Sequence, residues 1–329
     1  MKLVTFTVKT PLGYYDRVGA MYEESKVVDL NFAYVKYLTD VIEETKPYEI
    51  AAIRVPTSML EVIKGGQASI DAVKNAMEYV SGKLKIGKVP CGPKDEQIVY
   101  DLQKVKLKAP LTNPGRVFSM GRNYADHLEE MGGAREGLPR PVGHLKFTFA
   151  GPEDPIIYPK QTQQLDYEVE MSCVIGKKGK DISKEDWEEY VVGYTIINDV
   201  SARDQLDHKD RNSIRFDKNF DTFCPIGPCI VLKEAIEDPH NLAITLRVNG
   251  ETRQKSFTSH AIHKFADIIA YISRDVTLEP GDIISCGSPP GVAMGAARRG
   301  DDSWWLKPGD VIEAEVENIG VLRNPVKAQ

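Results

Sequence analysis

Apolar and polar positions along this chain follow two textures that change near residue 112. Residues 2–8 alternate as in a strand, and with residues 17–30 they predict a strand pair. Residues 31–42 and 57–63 read as helical, and the stretch around 70–79 sets Ile70, Val73, Met77 and Val80 at helix spacing. Residues 83–103 are lysine-rich, polar and broken by prolines, as a connector is. After Thr112-Asn113-Pro114-Gly115 the chain turns to short β-runs separated by Gly and Pro. The pattern therefore predicts an N-terminal α+β domain with its linker over 1–111 and a β-rich domain over 112–329. In the second part Asn249-Gly250 centres a hairpin over 243–253, and residues 262–273 repeat Ile262, Phe265, Ala266, Ile269 and Ile272 as an amphipathic helix. Pro280-Gly281-Asp282 and Pro308-Gly309-Asp310 each set a turn directly before a strand.

Residues 165–176 predict one strand ending at Gly176, with Glu168 and Glu170 on the same face about 6.5–7 Å apart. Two carboxylates that close repel unless a positive group sits between them. A second apolar run, 193–199, ends on Asp199. Three carboxylates with no neighbouring Cys or His make a hard oxygen set suited to Mg²⁺ or Mn²⁺. The alternative is a solvated strand face that happens to be acidic. Glu313, Glu315 and Glu317 alternate in the same way and form a rival stripe, read as solvent-facing.

Residues 124–131 have helical spacing, so His127 and Glu130 share one side. Such a pair is either a surface contact or an imidazole oriented by a carboxylate for proton transfer. The Gly/Pro-rich segment that follows, 131–141, suits a surface loop or a lid. Lys218, between Phe216 and Phe220, and Arg203, four residues past Asp199, are either surface cations or anion binders.

Composition changes this picture little. The 42 Lys and Arg against 48 Asp and Glu give a net charge of −6, which argues against a nucleic-acid surface. No apolar stretch reaches membrane-spanning length, and the N-terminus lacks a signal-peptide layout. The five cysteines show no Cys-x-x-Cys pair and read as reduced, buried thiols of a cytoplasmic protein.

Five ordered blocks between about residues 114 and 325 resemble the fumarylacetoacetate hydrolase family. They are Gly121-Arg122-Asn123-Tyr124-Ala125-Asp126-His127, Asp166-Tyr167-Glu168-Val169-Glu170, Asn198-Asp199-Val200-Ser201-Ala202-Arg203-Asp204, residues 216–228, and residues 281–292 with Gly287-Ser288-Pro289-Pro290-Gly291. The resemblance implies an α+β, β-rich fold, a mixed β-sandwich roll or barrel beside a smaller N-terminal domain, and a homodimer. It implies a divalent metal, Mg²⁺ or Mn²⁺, on Glu168, Glu170 and Asp199, with His127 activating water beside Glu130. Lys218 and Arg203 then fall at substrate and oxyanion positions, and Arg122, Tyr124, Lys146, Thr222 and Ser288 become candidate substrate contacts.

Two departures stand out. Leu206 occupies the place of a glutamine that hydrolases of the family commonly use in the oxyanion hole, and Cys286 replaces a threonine. A lost oxyanion donor costs about 10²–10³ in rate where the chemistry needs it. Metal-dependent hydrolysis of a C–C bond in a 2,4-dioxo acid, of the acylpyruvate or diketo sugar acid type, is the leading expectation. Decarboxylation, hydration or tautomerisation of a 2-oxo acid is the runner-up, and a non-catalytic metal-dependent binding protein the third.

Overall fold

In the computed structural model, which describes all residues except 134–139 and 206–214, the chain separates into two units, Met1–Asn113 and Pro114–Gln329. The first unit begins with an antiparallel hairpin of β1 (Lys2–Thr10) and β2 (Gly13–Tyr22), continued by β3 (Lys26–Asp29) beside β2. Asp29 then accepts the Phe32 amide and caps α1 (Leu30–Asp40). α2 (Pro47–Arg54), α3 (Met59–Lys64) and α4 (Gly66–Lys85) follow. β4 (Val99–Asp101) pairs with β3, and β5 (Lys106–Lys108) with β1.

α2 is not foreshadowed by the apolar spacing; Pro47 starts it where a missing N–H costs nothing. α4 is longer than the expected helix, and Lys83 and Lys85 in its last turn suit the negative end of the helix dipole. The expected connector over 83–103 thus holds a helix end and a strand.

The second unit contains β6 (Val117–Gly121), α5 (Ala125–Glu130), β7 (Val142–Lys146), β8 (Ile156–Tyr158), β9 (Leu165–Asp166) and β10 (Val169–Ile175). α6 (Trp187–Tyr190), β11 (Val191–Asn198), β12 (Ser201–Ala202), β13 (Ile226–Leu232), β14 (Ala243–Val248) and β15 (Glu251–Phe257) come next. α7 (Phe265–Ser273), β16 (Ile283–Ser285), α8 (Ala293–Arg298), β17 (Val311–Val316) and β18 (Gly320–Ala328) complete it.

One sheet runs β13-β11-β10-β16-β6-β7 and another β15-β14-β17-β18-β8, with β9 and β12 paired separately. Neither strand order closes on itself, so the roll is built from open mixed sheets and not from a closed barrel. β10 is buried along its whole length, as a central strand covered on both faces must be. Asn249 and Gly250, at φ 52° and 81°, make the tight turn expected between β14 and β15.

The strand expected over 165–176 is interrupted. Asn198 Oδ1 accepts the Glu168 amide and Gln254 Oε1 accepts that of Val169, so side chains replace ladder partners at the break between β9 and β10. No helix among the described residues is long and apolar enough to cross a membrane. Cys173, Cys224, Cys229 and Cys286 are buried and Cys91 is exposed.

Candidate metal centre

Antiparallel pairing of β10 with β11 sets Glu170 opposite Ile197 and brings Asp199, just beyond β11, beside Glu168, whose carbonyl accepts the Asp199 amide at 2.8 Å. One oxygen from each of Glu168, Glu170 and Asp199 lies within 4.8 Å of the others, and all three residues are buried. Burying three like charges is costly unless cations accompany them. Lys218 Nζ donates to Glu168 Oε2 at 2.5 Å and to Asp199 Oδ2 at 2.8 Å. Lys146 Nζ donates to Asp199 Oδ1 at 2.7 Å. Arg203 donates from Nη2 to Glu168 Oε1 at 2.7 Å and from Nε to Asp166 Oδ2 at 2.9 Å. His144 Nε2 lies 3.1 Å from Asp199 Oδ2. The Ser119 hydroxyl spans Asp199 Oδ2 (2.8 Å) and Glu170 Oε2 (3.0 Å).

This wiring treats the three carboxylates unequally. Burial works to raise the Glu168 pKa, yet Arg203 and then Lys218 hold it at about 2. At Asp199 burial is likewise overcome by Lys146 and Lys218, so its carboxyl stays well below the usual range. Glu170 goes the other way: burial, followed by the charges of Asp199 and Glu168, lifts it well above the ordinary value. Its side chain meets the hydroxyls of Ser119 and Ser285. A carboxylate so placed takes up a proton or a cation, and three clustered oxygens fit a hard divalent ion. The buried Tyr124 hydroxyl and Asn198 Nδ2 also lack protein partners, which leaves polar capacity for bound water or ligand.

α5 brings His127 and Glu130 together as their helical spacing predicts. His127 Nδ1 stands 3.2 Å from Glu130 Oε2, and Nε2 stands 3.7 Å from Glu168 Oε1. Glu130 also accepts the Gly291 amide (3.1 Å to Oε2) and Arg299 Nη1 (3.0 Å to Oε1). Burial raises the Glu130 pKa, but the bonds from His127 and Arg299 outweigh it and keep the carboxylate ionised.

The fold thus gathers Glu168, Glu170, Asp199, Lys218, Arg203, Lys146, His127 and Glu130. The remaining candidates are placed differently, and the Tyr124 hydroxyl is buried without a hydrogen-bond partner. Arg122 is exposed in a left-handed backbone conformation at φ 58°. Thr222 Oγ1 accepts the Ile157 amide and donates to the Asp221 carbonyl, while Ser288 accepts Gln254 Nε2 at 2.8 Å. Leu206 and residues 134–139 of the Gly/Pro-rich segment lie outside the described residues. Cys286 is buried, and its carbonyl accepts Asn123 Nδ2. Glu313 and Glu315 pair with Arg247 on the open face of β17.

Ser119, His144, Asp166 and Asn198 belong to the site's wiring and were not singled out from sequence. Two of them carried a signal. His144 precedes Lys146 by two on β7, and Asp166 precedes Glu168 by two, the same-face spacing that exposed the glutamates.

Comparison with known proteins agrees with this geometry. Residues 116–327 match the family model described as fumarylacetoacetate (FAA) hydrolase C-terminal. A mitochondrial oxaloacetate tautomerase of Xenopus laevis is 38% identical over 277 residues, covering 83% of this chain and 79% of that protein. An oxaloacetate tautomerase of Bacillus subtilis is 36% identical over 316 residues, covering 94% and 95%. The crystal structure of maleylpyruvate hydrolase from Sphingobium sp. SYK-6 with manganese(II) and pyruvate superposes with a TM-score of 0.69 at 25% identity, over 100% of this chain and 99% of that one. A buried three-carboxylate cluster beside a His–Glu pair, within a domain matched almost from end to end, makes this chain a member of the fumarylacetoacetate hydrolase family of enzymes.

Proposed function

We propose that this chain is a divalent-metal-dependent isomerase of 2-oxo acids, moving a proton between carbon and oxygen in a substrate of the oxaloacetate class. The observation that carries the reading is His127, whose Nδ1 is held by Glu130 while Nε2 faces the carboxylate cluster. Two relatives bearing the tautomerase name, similar over most of the chain, support it.

Glu168, Glu170 and Asp199 would hold the ion, Mg²⁺ or Mn²⁺. When bound, it supplies Lewis-acid polarisation of the substrate's 2-oxo group. His127 Nε2 takes a proton from the carbon next to that group, and Glu130 stabilises the resulting imidazolium. The imidazolium then returns the proton, to oxygen in one direction and to carbon in the other, so no atom is gained or lost. Lys218 and Arg203 keep the neighbouring carboxylates ionised and add positive charge where a substrate carboxylate would enter. The unpartnered Tyr124 hydroxyl is available to donate to the bound acid.

Hydrolysis of a C–C bond in a 2,4-dioxo acid is the second reading. The maleylpyruvate hydrolase likeness favours it, and the same His–Glu pair can deprotonate water. Sequence alone ranks hydrolysis first; we rank it second because relatives bearing the tautomerase name are similar over most of the chain.

The test follows enol-oxaloacetate by ultraviolet absorbance with Mg²⁺, with Mn²⁺ and with a chelator, beside acylpyruvates and fumarylpyruvate assayed for pyruvate release. Metal-dependent ketonisation without cleavage is expected. Pyruvate release with a higher kcat/KM than ketonisation would overturn the isomerase reading.

A further inference from the structure

Asp166 has a fully buried carboxylate that the proton transfer above does not use. Four donors converge on it. Oδ2 accepts Arg203 Nε at 2.9 Å and the Met294 amide at 3.2 Å; Oδ1 accepts the amides of Ala293 at 2.7 Å and Tyr167 at 2.9 Å. Ala293 and Met294 open α8, so one reading is a helix cap supplied from a distant strand.

Two routes lead further, and both end on His127. Along the first, Arg203 Nη2 donates to Glu168 Oε1, the oxygen 3.7 Å from His127 Nε2. Along the second, the turn entering α8 donates the Gly291 amide to Glu130, which holds His127 Nδ1. α8 also packs tightly on that carboxylate, since a Cβ at Gly295 would stand 2.2 Å from Glu130 Cδ. The two nitrogens of one imidazole are thus set by two elements whose direct tie is Asp166.

We propose that Asp166 is a positioning residue: it locks α8 to Arg203 and so fixes the placement of His127 against the carboxylate cluster. The proposal rests on reading His127 as the base. Displacing a reacting group by about 1 Å can cost about 10²-fold in rate, so a loosened lock is visible in kcat even where binding is intact.

Two variants test it. Asp166→Asn keeps the shape but removes the charge that collects the four donors. Ala293→Pro deletes one amide at the first position of α8, where proline is tolerated, and Val292 before it is already extended at φ −74° and ψ 155°. Mn²⁺ affinity by calorimetry, kcat and KM on whichever 2-oxo acid the wild type turns over, and hydrogen exchange of residues 125–133 without substrate are the readouts. Both variants are expected to fold and to bind Mn²⁺ within about threefold of wild type, with kcat down about tenfold or more at nearly unchanged KM and α5 exchange about tenfold faster. The double variant should match Asp166→Asn alone, because both changes loosen the same tie between α8 and Arg203.

Wild-type kcat and exchange in Asp166→Asn would overturn the proposal. So would a double variant whose losses add, a kcat loss tracked by an equal loss of Mn²⁺ affinity, or failure of Asp166→Asn to fold, which would make Asp166 a residue of the fold alone. Should the wild type turn over no 2-oxo acid, the functional reading fails, while α5 exchange still decides the role of Asp166.

Discussion

The chain places glutamates two residues apart in two regions, Glu168 just before β10 with Glu170 within it, and Glu313 and Glu315 on β17. Their spacing is the same and their fates are opposite. On β17 the glutamates alternate with buried Ala314 and Val316 and share Arg247 at the surface. At β10 the flanking positions are buried too, so the carboxylates have no open face and are met by Lys218, Arg203 and a serine hydroxyl. An alternating acidic pattern would become a cation site only where both faces of the sheet are covered and too few positive side chains arrive to neutralise every carboxylate. Glu170 is the carboxylate left over.

The sharpest way to break this contrast is to remove one glutamate from each region. Glu170→Ala should lower Mn²⁺ affinity by about 100-fold or more and abolish turnover, since it takes one of three oxygens from the cluster. Glu315→Ala should leave both unchanged. Calorimetry on the two variants decides, and equal affinities would erase the distinction. Next in size, His127→Ala should lower kcat by about 10²–10⁴-fold with Mn²⁺ still bound, and Glu130→Gln less, because the amide still bonds the ring but no longer stabilises its charge. Near-wild-type turnover by metal-loaded His127→Ala would remove the base from the mechanism.

A pH effect comes third. The folded-state pKa of Glu170 is raised above its ordinary value, so the ion-free folded state holds a proton that the unfolded chain has released. Stability in chelator should therefore fall as pH rises above the ordinary glutamate range, and Glu170→Gln should flatten that slope. Thermal melts from pH 5 to 8 check this; an unchanged slope would place the strain elsewhere. The smallest effect is on β17, where Glu315→Ala should cost about 0–1 kcal/mol in urea denaturation, less at high salt, as exposed ion pairs do.

What sequence revealed follows from how local each feature is. Glu168 with Glu170 and His127 with Glu130 were legible because a strand repeats every two residues and a helix brings residues three apart together. Ser119 and His144 were not, since they reach Asp199 through β6 and β7, which join β10 only across β16. Their register, Ser119 opposite His144, is set by pairing between distant segments. Lys218 was noticed for its phenylalanine neighbours, whereas its placement is decided by two carboxylates 50 and 19 residues away in sequence. The break between β9 and β10 depends on the side chains of Asn198 and Gln254, which no periodicity reports. The change of texture near residue 112 is visible in the sequence because Gly/Pro punctuation and helix spacing are themselves local.

Glu168 Oε1 accepts Arg203 and also stands 3.7 Å from Nε2 of His127. One atom therefore answers to both halves of the site, and the centre is not modular. On the proposed function, a substitution that moves this oxygen to suit a new metal would also move the base, and one that re-aims the base would disturb the metal. Change that preserves activity is pushed outward, to groups such as Arg122 that do not touch Glu168. On that reading, a site assembled on such a shared atom would vary which acid it accepts more readily than how it handles the proton.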